Sequence, residues 1–426
     1  MTGPHRRHTT SSHDFRLLWT ASAADSLGTQ VSGVVLPLLL LAAGHSPALA
    51  GAVVSVSLLA GLAAGPFAAV LADRGARRPL MICAALTGAA AMGAVAFLAT
   101  GDRPPLGALC LAVTVERIAT CVYAAAAQGW VAAVVAPAGY PRAVSRLQAG
   151  EQGALVVGPV LGGALFHAAR WLPFAVDAFT YLLAVVCVRG VRTDLSLGTG
   201  RGPGRRGAAT VLTDLREGLR FVGGRPFLRG VLWWMTGVNG VLAALYYGAV
   251  FTLERNGAGT VAIGTVLAVA GAAGVAGALI APRLARRVSA ARLTVLVSWA
   301  VVVVAAGLAL ATGAWAYGAL FAMVSLLVPT LAVLLAARAI AVTPPDLQAR
   351  VGTVLNTVSG IATTAAPLVA GALVAVAGTA GVAVAGAGVM ALVAVYASRV
   401  VAPALRASED GAAAAALPDA AREEAG

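Results

Sequence analysis

The feature that most limits what this sequence can fold into is a succession of apolar segments running from Phe15 to Val401. Each is about 20 residues or longer, the length that a helix needs to cross the hydrocarbon core of a bilayer. Only 11% of the 426 residues are charged and 59% are hydrophobic. A soluble domain carries about 25% charged residues, so this chain lacks the charge to cover a soluble core. We therefore expect an all-α membrane protein with about twelve transmembrane helices.

The polar breaks between the apolar segments divide the chain further. Predicted spans are 15–43, 47–72, 79–100, 105–127, 143–168, 171–190, 227–252, 257–281, 290–312, 315–337, 350–376 and 379–401. In the longest break, Val211, Leu215, Leu219 and Val222 recur at helical spacing, which predicts an amphipathic helix on the inner membrane face. The predicted organisation is a polar N-terminal tail (1–14), an N-terminal six-helix bundle (15–190), a cytoplasmic linker with this amphipathic helix (191–226), a C-terminal six-helix bundle (227–401) and a disordered cytoplasmic tail (402–426).

The basic residues indicate which side of the membrane each loop occupies. All 30 of them are arginines, and only Arg103, Arg170 and Arg255 fall in loops on the side opposite the N-terminus. Cytoplasmic loops carry the excess of positive charge, so both termini are predicted to be cytoplasmic. The excess of Arg, Ala and Gly, with no Lys, suggests a GC-rich bacterial genome. We expect a multi-pass protein of the bacterial plasma membrane.

Composition also argues against several functions. A chain without lysine has no P-loop and forms no lysine Schiff base. Arginines in inner loops explain the net charge of +13 better than nucleic-acid binding does. None of the histidines is expected near the middle of the membrane, which argues against a metal site or a His-based triad; they are His5, His8, His13, His45 and His167. We expect no enzyme activity, cofactor, metal or nucleic-acid partner.

The two halves of the chain resemble each other. The stretch from Val135 to Leu165 aligns with that from Val342 to Leu373. The alignment places Pro137 on Pro345, Arg142 on Arg350, Pro159 on Pro367 and Gly163 on Gly371. Two six-helix halves in parallel repeat, joined by an inner loop, are the architecture of one class of secondary transporter.

The loop after the second helix carries a recognisable motif, GPFAAVLADRGARRP, from Gly65 to Pro79. It resembles the Gly-x-x-x-Asp-Arg-x-Gly-Arg-Arg signature of the major facilitator superfamily, with Ala69 and Ala76 at the positions of two of its glycines. Asp73 lies near the negative end of its helix, where a carboxylate needs cationic partners. The resemblance implies an inner gate that holds the two halves together, formed by Gly65, Asp73, Arg74, Arg77 and Arg78. The alternative is ordinary positive-inside charge.

A second motif lies in the fifth span. The stretch GALVVGPVLGG resembles the Gly-Pro motif of the superfamily's antiporters. Glycines let another helix backbone approach closely, and a proline bends the helix. The residues concerned are Gly153, Gly158, Pro159, Gly162 and Gly163; a generic packing seam is the alternative reading.

Further stretches are similar to one branch of the superfamily, the drug–proton antiporters that include the enterobactin and macrolide exporters. These stretches are FRLLW (15–19), VLPLLLL (35–41), FAVDAFTYLLA (174–184) and EGLRFV with RPFLR (217–229). With the two motifs above, the resemblance extends over nearly the whole chain to about residue 401.

Ionisable residues within the spans point most directly to a site. An unpaired charge at the bilayer centre costs about 2.5–3.5 kcal/mol on insertion scales. Asp25 lies ten residues into the first predicted helix, about 15 Å deep. Glu116 and Arg117 lie at a similar depth in the fourth, where the family has an arginine linked to proton transfer. We take Asp25, Glu116 and Arg117 as proton-coupling candidates, the alternative being a structural ion pair. Asp177, near the outer end of the sixth helix, is expected to cap or pack.

Other polar and aromatic residues are candidates for lining a substrate cavity. They are Glu151, Gln152, Asn239, Tyr246, Tyr247 and Asn356. The resemblance implies a secondary transporter that exports a small amphipathic molecule by proton antiport, with partners limited to substrate, protons and lipid, and we expect a monomer. An importer or facilitator of a small metabolite, and a transport-dead receptor or scaffold, are the alternatives.

Overall fold

A computed structural model describes residues 12–73, 77–101, 103–128, 130–136, 139–193, 208–285, 287–311, 313–344 and 347–407. The C-terminal tail from residue 408, most of the N-terminal tail, the Gly/Arg-rich part of the linker and Arg74 lie outside these ranges, as does the side chain of Asp73.

The described residues fold into helices, and the prediction of an all-α membrane protein with about twelve spans is confirmed. Twelve segments are long and apolar enough to cross a membrane. The helices are α1 (Ser12–Ala42), α2 (Pro47–Asp73), α3 (Arg77–Leu98), α4 (Leu106–Ala127), α5 (Trp130–Val134), α6 (Tyr140–Ala168), α7 (Leu172–Gly190), α8 (Ala208–Gly223), α9 (Pro226–Arg255), α10 (Thr260–Ala285), α11 (Ala290–Leu310), α12 (Ala314–Ala341) and α13 (Gln348–Tyr396), followed by a π-helical turn (Ala397–Val401). α5 and α8 are not spans, and α13 contributes to two spans.

Two tight connections between spans depend on glycine. α13 is broken at Gly378, whose φ of +72° lies in the left-handed region that residues with a Cβ rarely adopt. The break separates the spans Arg350–Gly378 and Ala380–Ala407. Gly44, with a φ of +86°, similarly allows the short turn between α1 and α2.

The chain forms two compact units. The first comprises residues 1–211 together with 253–268, and the second comprises 212–252 together with 269–426. In the first unit α1 packs against α6 and α7, α3 packs against α4 and α7, and α2 packs against α4. In the second unit α11 packs against α12 and α13. α1 therefore contacts α7 directly, and α3 contacts both α4 and α7.

α8 covers the stretch for which the sequence predicts an amphipathic helix. It packs on the start of α13, because a Cβ on Gly218 would lie 2.8 Å from Val354 Cγ2 and 3.0 Å from the carbonyl oxygen of Arg350. The guanidinium of Arg350 also forms an ion pair with Glu217. These contacts fix α8 to the second unit.

Candidate functional site

A cluster of ionisable side chains lies inside the first unit, in a part of the chain otherwise built from apolar helices. It comprises Asp25 on α1, Glu116 and Arg117 on α4, and Asp177 on α7. Glu116 is 2% exposed and Asp177 is completely buried. We refer to these four residues as the carboxyl cluster. The structure brings the three predicted proton-coupling residues together and adds Asp177 to them.

Glu116 has three polar partners among the described residues. Its Oε1 accepts hydrogen bonds from the hydroxyls of Thr120 and Tyr181, both at 2.8 Å. Its Oε2 lies 3.6 Å from the guanidinium of Arg117. Charge-assisted hydrogen bonds of this kind compensate for the loss of hydration on burial, so Glu116 and Arg117 form a stable ion pair.

The surrounding helices are shaped to admit the side chains of this pair. A Cβ on Gly61 of α2 would lie 2.8 Å from Cγ of Arg117, and a Cβ on Gly88 of α3 would lie 3.0 Å from the ring of Tyr181. The two glycines therefore provide the space in which the arginine stem and the tyrosine ring pack. A larger residue would displace Arg117 at the first position and Tyr181 at the second.

Asp25 differs from Glu116 in having an unpaired oxygen. Its Oδ1 is buried and has no hydrogen-bond partner among the described residues. Glu116 and Arg117 are both within electrostatic range of the Asp25 carboxyl. An unpaired carboxylate costs far more to bury than the neutral acid does, so this position is suited to binding and releasing a proton.

Of the two roles expected for Asp177, capping and packing, the structure shows packing, because its carboxyl lies against Gly28 of α1. Asp177 is the sixth residue of α7, beyond the first turn in which a side chain reaches the free backbone N–H groups. The hydroxyl of Ser32 hydrogen-bonds to its carboxyl group. The hydroxyl of Thr180 donates to the backbone carbonyl of Asp177 at 2.7 Å and lies 3.4 Å from its Oδ1. Within the described part of the chain, its Oδ2 is buried without a partner.

The inner-loop motif is only partly described. Arg77 donates a hydrogen bond to the carbonyl oxygen of Gln128, which ends α4, at 2.6 Å. Arg78 donates to the carbonyl oxygen of Arg189, in the last turn of α7. Cations stabilise the negative C-terminal ends of helices, so these two arginines join α3 to the ends of α4 and α7. Gly65 has open space around it.

The glycine motif of α6 makes close helix contacts on two sides. A Cβ on Gly162 would lie 2.6 Å from the carbonyl oxygen of Val31 on α1, and one on Gly158 would overlap Gln30. On another side, a Cβ on Gly163 would overlap the backbone of Thr260, whose hydroxyl donates to the Gly163 carbonyl at 3.1 Å. The carbonyl of Pro159 lies against the backbone of Gly264 in α10. Gly153, at the other end of the motif, has open space.

The proposed cavity residues are distributed over both units. Glu151 and Gln152 are exposed on α6, and Asn356 is exposed on α13. Asn239 is half-buried and donates to the carbonyl oxygen of Met235 in its own helix at 2.8 Å. Tyr246 and Tyr247 are half-buried and stack edge to face, with ring centroids 5.2 Å apart. Their lining of a substrate cavity stays a prediction.

Sequence reasoning missed several members of the cluster's surroundings. Only the place of Thr120 one helical turn after Glu116 indicates that it can bond that carboxylate. Tyr181 follows Asp177 at the same spacing, which indicates a shared face. The partners Ser32, Gly28, Gly61 and Gly88 come from other helices, and no sequence pattern identifies them.

Comparison with solved structures shows the fold of several transporters. A bacterial homolog of the human lysosomal transporter Spinster, in an inward-facing and unoccupied conformation, matches with a TM-score of 0.68 and 15% identity over 95% of this chain and 98% of that chain. A bacterial homologue of the iron transporter ferroportin, in an inward-facing state, matches at 0.65 and 16% identity over 91% and 99%. A mutant of the nucleoside transporter NupG matches at 0.69 and 13% identity over 89% and 98%.

A comparison with curated protein sequences found no match. The family model described as Major Facilitator Superfamily matches residues 18–367, which include the whole carboxyl cluster and most of the second unit. The chain therefore belongs to the major facilitator superfamily and is a multi-pass membrane transporter.

Proposed function

We propose that this transporter exports a small amphipathic molecule in exchange for protons and that Asp25 is its principal proton carrier. The observation that carries the proposal is the buried, unpaired Oδ1 of Asp25 within electrostatic range of the Glu116–Arg117 ion pair. Ionisable residues inside a membrane are rare and mark proton pathways in transporters. Glu116 is the weaker candidate, because two hydroxyls and Arg117 stabilise its ionised form.

The carboxyl cluster has two electrostatic states, which differ in whether Asp25 carries a proton. When Asp25 is protonated, the guanidinium of Arg117 has Glu116 as its anionic neighbour on α4. When Asp25 loses its proton, the guanidinium is attracted to a carboxylate on α1 as well. Because Asp25 lies on α1 and Arg117 lies on α4, the change of charge alters the force between these two helices. Such a change is suited to biasing a transporter between two conformations.

The direction of transport is proposed from two further features. The glycine motif of α6 resembles that of the superfamily's antiporters, and here its glycines allow backbone contacts with α1 and the start of α10. The chain also resembles the exporter branch described above. A drug, natural product or siderophore is the expected class of substrate, with Asn239, Tyr246 and Tyr247 as proposed contacts.

The proton gradient is sufficient for this work. One proton moving inward supplies about 2.3 kcal/mol per 100 mV of membrane potential. At about 150 mV this is about 3.5 kcal/mol, which sustains a substrate gradient of about 300-fold, since each tenfold step needs about 1.4 kcal/mol.

Efflux from intact bacteria tests the proposal. Cells expressing the wild type or Asp25→Asn at equal levels are loaded with a panel of antibiotics and fluorescent dyes, with and without a protonophore. We expect the wild type alone to lower the intracellular concentration of at least one compound, and the protonophore to abolish this.

Asp14→Asn is a matched control on the same helix. Asp14 is also buried, but it accepts hydrogen bonds from the backbone N–H groups of Arg192 and Thr193 and from the Thr193 hydroxyl. We expect this variant to retain efflux. Efflux that survives the protonophore would exclude proton coupling, and accumulation instead of efflux would favour the importer.

A further inference from the structure

Asp177 is a buried carboxyl that the proposed mechanism does not use. Asp177 is 0% exposed, and its Oδ2 lacks a hydrogen-bond partner in the described part of the chain. The groups within electrostatic range of it are Glu116 and Arg117 of α4 and Asp25 of α1. Tyr181 of its own helix is a fourth. Arg117 is the single cation in this set, and its nearest carboxylate is Glu116.

The charges of the cluster set the number of protons that it holds. Three carboxyl groups and one guanidinium are neutral together when two carboxyls are protonated. Glu116 accepts two hydroxyl hydrogen bonds and lies beside Arg117, so it is the carboxyl best stabilised as an anion. The two neutral carboxyls are then Asp25 and Asp177, the two that have a buried oxygen without a partner. An uncompensated buried charge at either position would be strongly unfavourable.

The packing beside Oδ1 of Asp177 leaves no room for a larger cation on that side of the carboxyl. A Cβ on Gly28 of α1 would overlap both Asp177 Oδ1 and the hydroxyl of Thr180. The carboxyl therefore occupies the space beside the α1 backbone so closely that a methyl group does not fit there. A metal ion with several oxygen ligands needs more room than this side of the carboxyl offers.

The position of Asp177 relates it to Asp25. Asp25 and Gly28 are three residues apart, so they lie on the same face of α1, about 4.5 Å apart along its axis. Because Asp177 packs against Gly28, its carboxyl lies about one helical turn beyond Asp25, toward the C-terminal end of α1.

We propose that Asp177 is a second proton-binding residue, and that it and Asp25 each hold one exchangeable proton while Glu116 and Arg117 remain ionised. The transport role of this second proton rests on the proton coupling proposed above, whereas its presence on Asp177 does not. Asp25 lies on α1 and Asp177 packs against the same face of α1 about one helical turn further on. The two residues therefore form two neighbouring proton positions.

Infrared spectroscopy of the full-length protein in lipid tests this proposal without a substrate. The carbonyl stretch of a protonated carboxyl is recorded as the pH is raised from about 6, above which exposed carboxyls are ionised. We expect the wild type to show this band, to lose it at high pH, and to shift it in D2O. Asp177→Asn and Asp25→Asn are each expected to lower its amplitude by about half, since two neutral carboxyls contribute to it.

Asp14→Asn serves as the matched control and is expected to leave the band unchanged, because Asp14 accepts backbone hydrogen bonds suited to its anion. Asparagine has nearly the volume of a neutral aspartic acid, so Asp177→Asn preserves the packing against Gly28. A band that Asp177→Asn leaves unchanged would overturn the proposal, as would a band that persists at every pH. Efflux without proton coupling, with this titration intact, would overturn the proposed function alone.

Discussion

Asp25 and Glu116 are acidic residues of the same cluster, and their surroundings differ. Glu116 has three partners, from Arg117, Thr120 and Tyr181. Asp25 has a buried oxygen with no partner among the described residues. The sequence predicts both as proton-coupling candidates from depth alone, and depth does not distinguish them. The distinction depends on hydroxyl groups that reach the cluster from α4 and α7.

Tyr181→Phe tests the assignment of Glu116 as a stabilised anion. The change removes one hydroxyl donor at 2.8 Å while keeping the ring that packs against Gly88. We expect a loss of about 1.5–3 kcal/mol in the free energy of unfolding, the range for a hydrogen bond to a charged group. Chemical denaturation of the purified protein in detergent measures it. A double-mutant cycle with Glu116→Gln should show coupling of at least about 0.5 kcal/mol; additive effects would contradict the contact.

Gly28→Ala tests the packing of Asp177 against α1. The new methyl group would overlap the Asp177 carboxyl and the Thr180 hydroxyl, and overpacking of this kind costs about 1–3 kcal/mol. Thermal unfolding of purified protein in detergent should show a lower melting temperature. Gly33→Ala, in the same helix, meets open space and should be neutral or stabilising because alanine favours helix. Equal effects of the two changes would contradict this geometry.

At the scale of helices, the glycines of the α6 motif differ in what they contact. Gly158 and Gly162 lie against α1, and Gly163 lies against the start of α10, whereas Gly153 faces open space. From the sequence alone, the glycines of the motif cannot be told apart. The structure separates them into contact positions and a position without close neighbours.

Gly162→Ala and Gly153→Ala form a matched pair on this helix. The first places a methyl group 2.6 Å from the Val31 carbonyl oxygen, and the second meets nothing within 4 Å. We expect Gly162→Ala to lower the thermal stability and at least halve the rate of efflux, because the new methyl group would displace α1, which carries Asp25. Gly153→Ala should behave as the wild type. Similar efflux rates for the two variants would exclude a role for close α1–α6 packing.

α8 illustrates how far the sequence predicts an element. Its apolar residues at helical spacing predict a helix, and a helix is present from Ala208 to Gly223. The surface that it contacts was not predictable, because Gly218 and Glu217 meet α13 residues more than 100 positions later in the chain. The break at Gly378, by contrast, lies between the predicted spans 350–376 and 379–401, because a glycine between two apolar runs is a strong local signal.

The attachment of α8 should depend on packing more than on charge. Glu217 and Arg350 are 53% and 37% exposed, and exposed ion pairs contribute about 0–1 kcal/mol. Gly218→Val would overlap Val354 and the α13 backbone. We expect faster proteolysis of the linker in Gly218→Val and little change in Glu217→Gln. The opposite order would show that the ion pair holds α8.

At the scale of the whole molecule, the twelve spans were predictable because each apolar segment has the length that a bilayer requires. Arginine asymmetry predicts that both termini are cytoplasmic. The carboxyl cluster was only partly predictable, since Asp177 meets Gly28 through the folding of α7 onto α1. The position of Asp177 near the start of α7 suggests either capping or packing, and does not identify Gly28 as the contact.

Fluorescent-protein and alkaline-phosphatase fusions to the C-terminus test the predicted orientation. We expect a fluorescent fusion and an inactive phosphatase, because the green fluorescent reporter matures only in the cytoplasm and the phosphatase only outside it. An active phosphatase would place the C-terminus outside and reverse the direction assigned to every loop.

The exchange of protons for substrate is the central claim, and proteoliposomes test it most directly. Wild-type protein is reconstituted with a pH-sensitive dye inside, and a compound identified by the efflux screen is added to create a substrate gradient. We expect substrate movement to drive an opposite proton movement in the wild type and in Asp14→Asn, and none in Asp25→Asn. Substrate movement without any change in internal pH, or normal proton movement in Asp25→Asn, would contradict this claim.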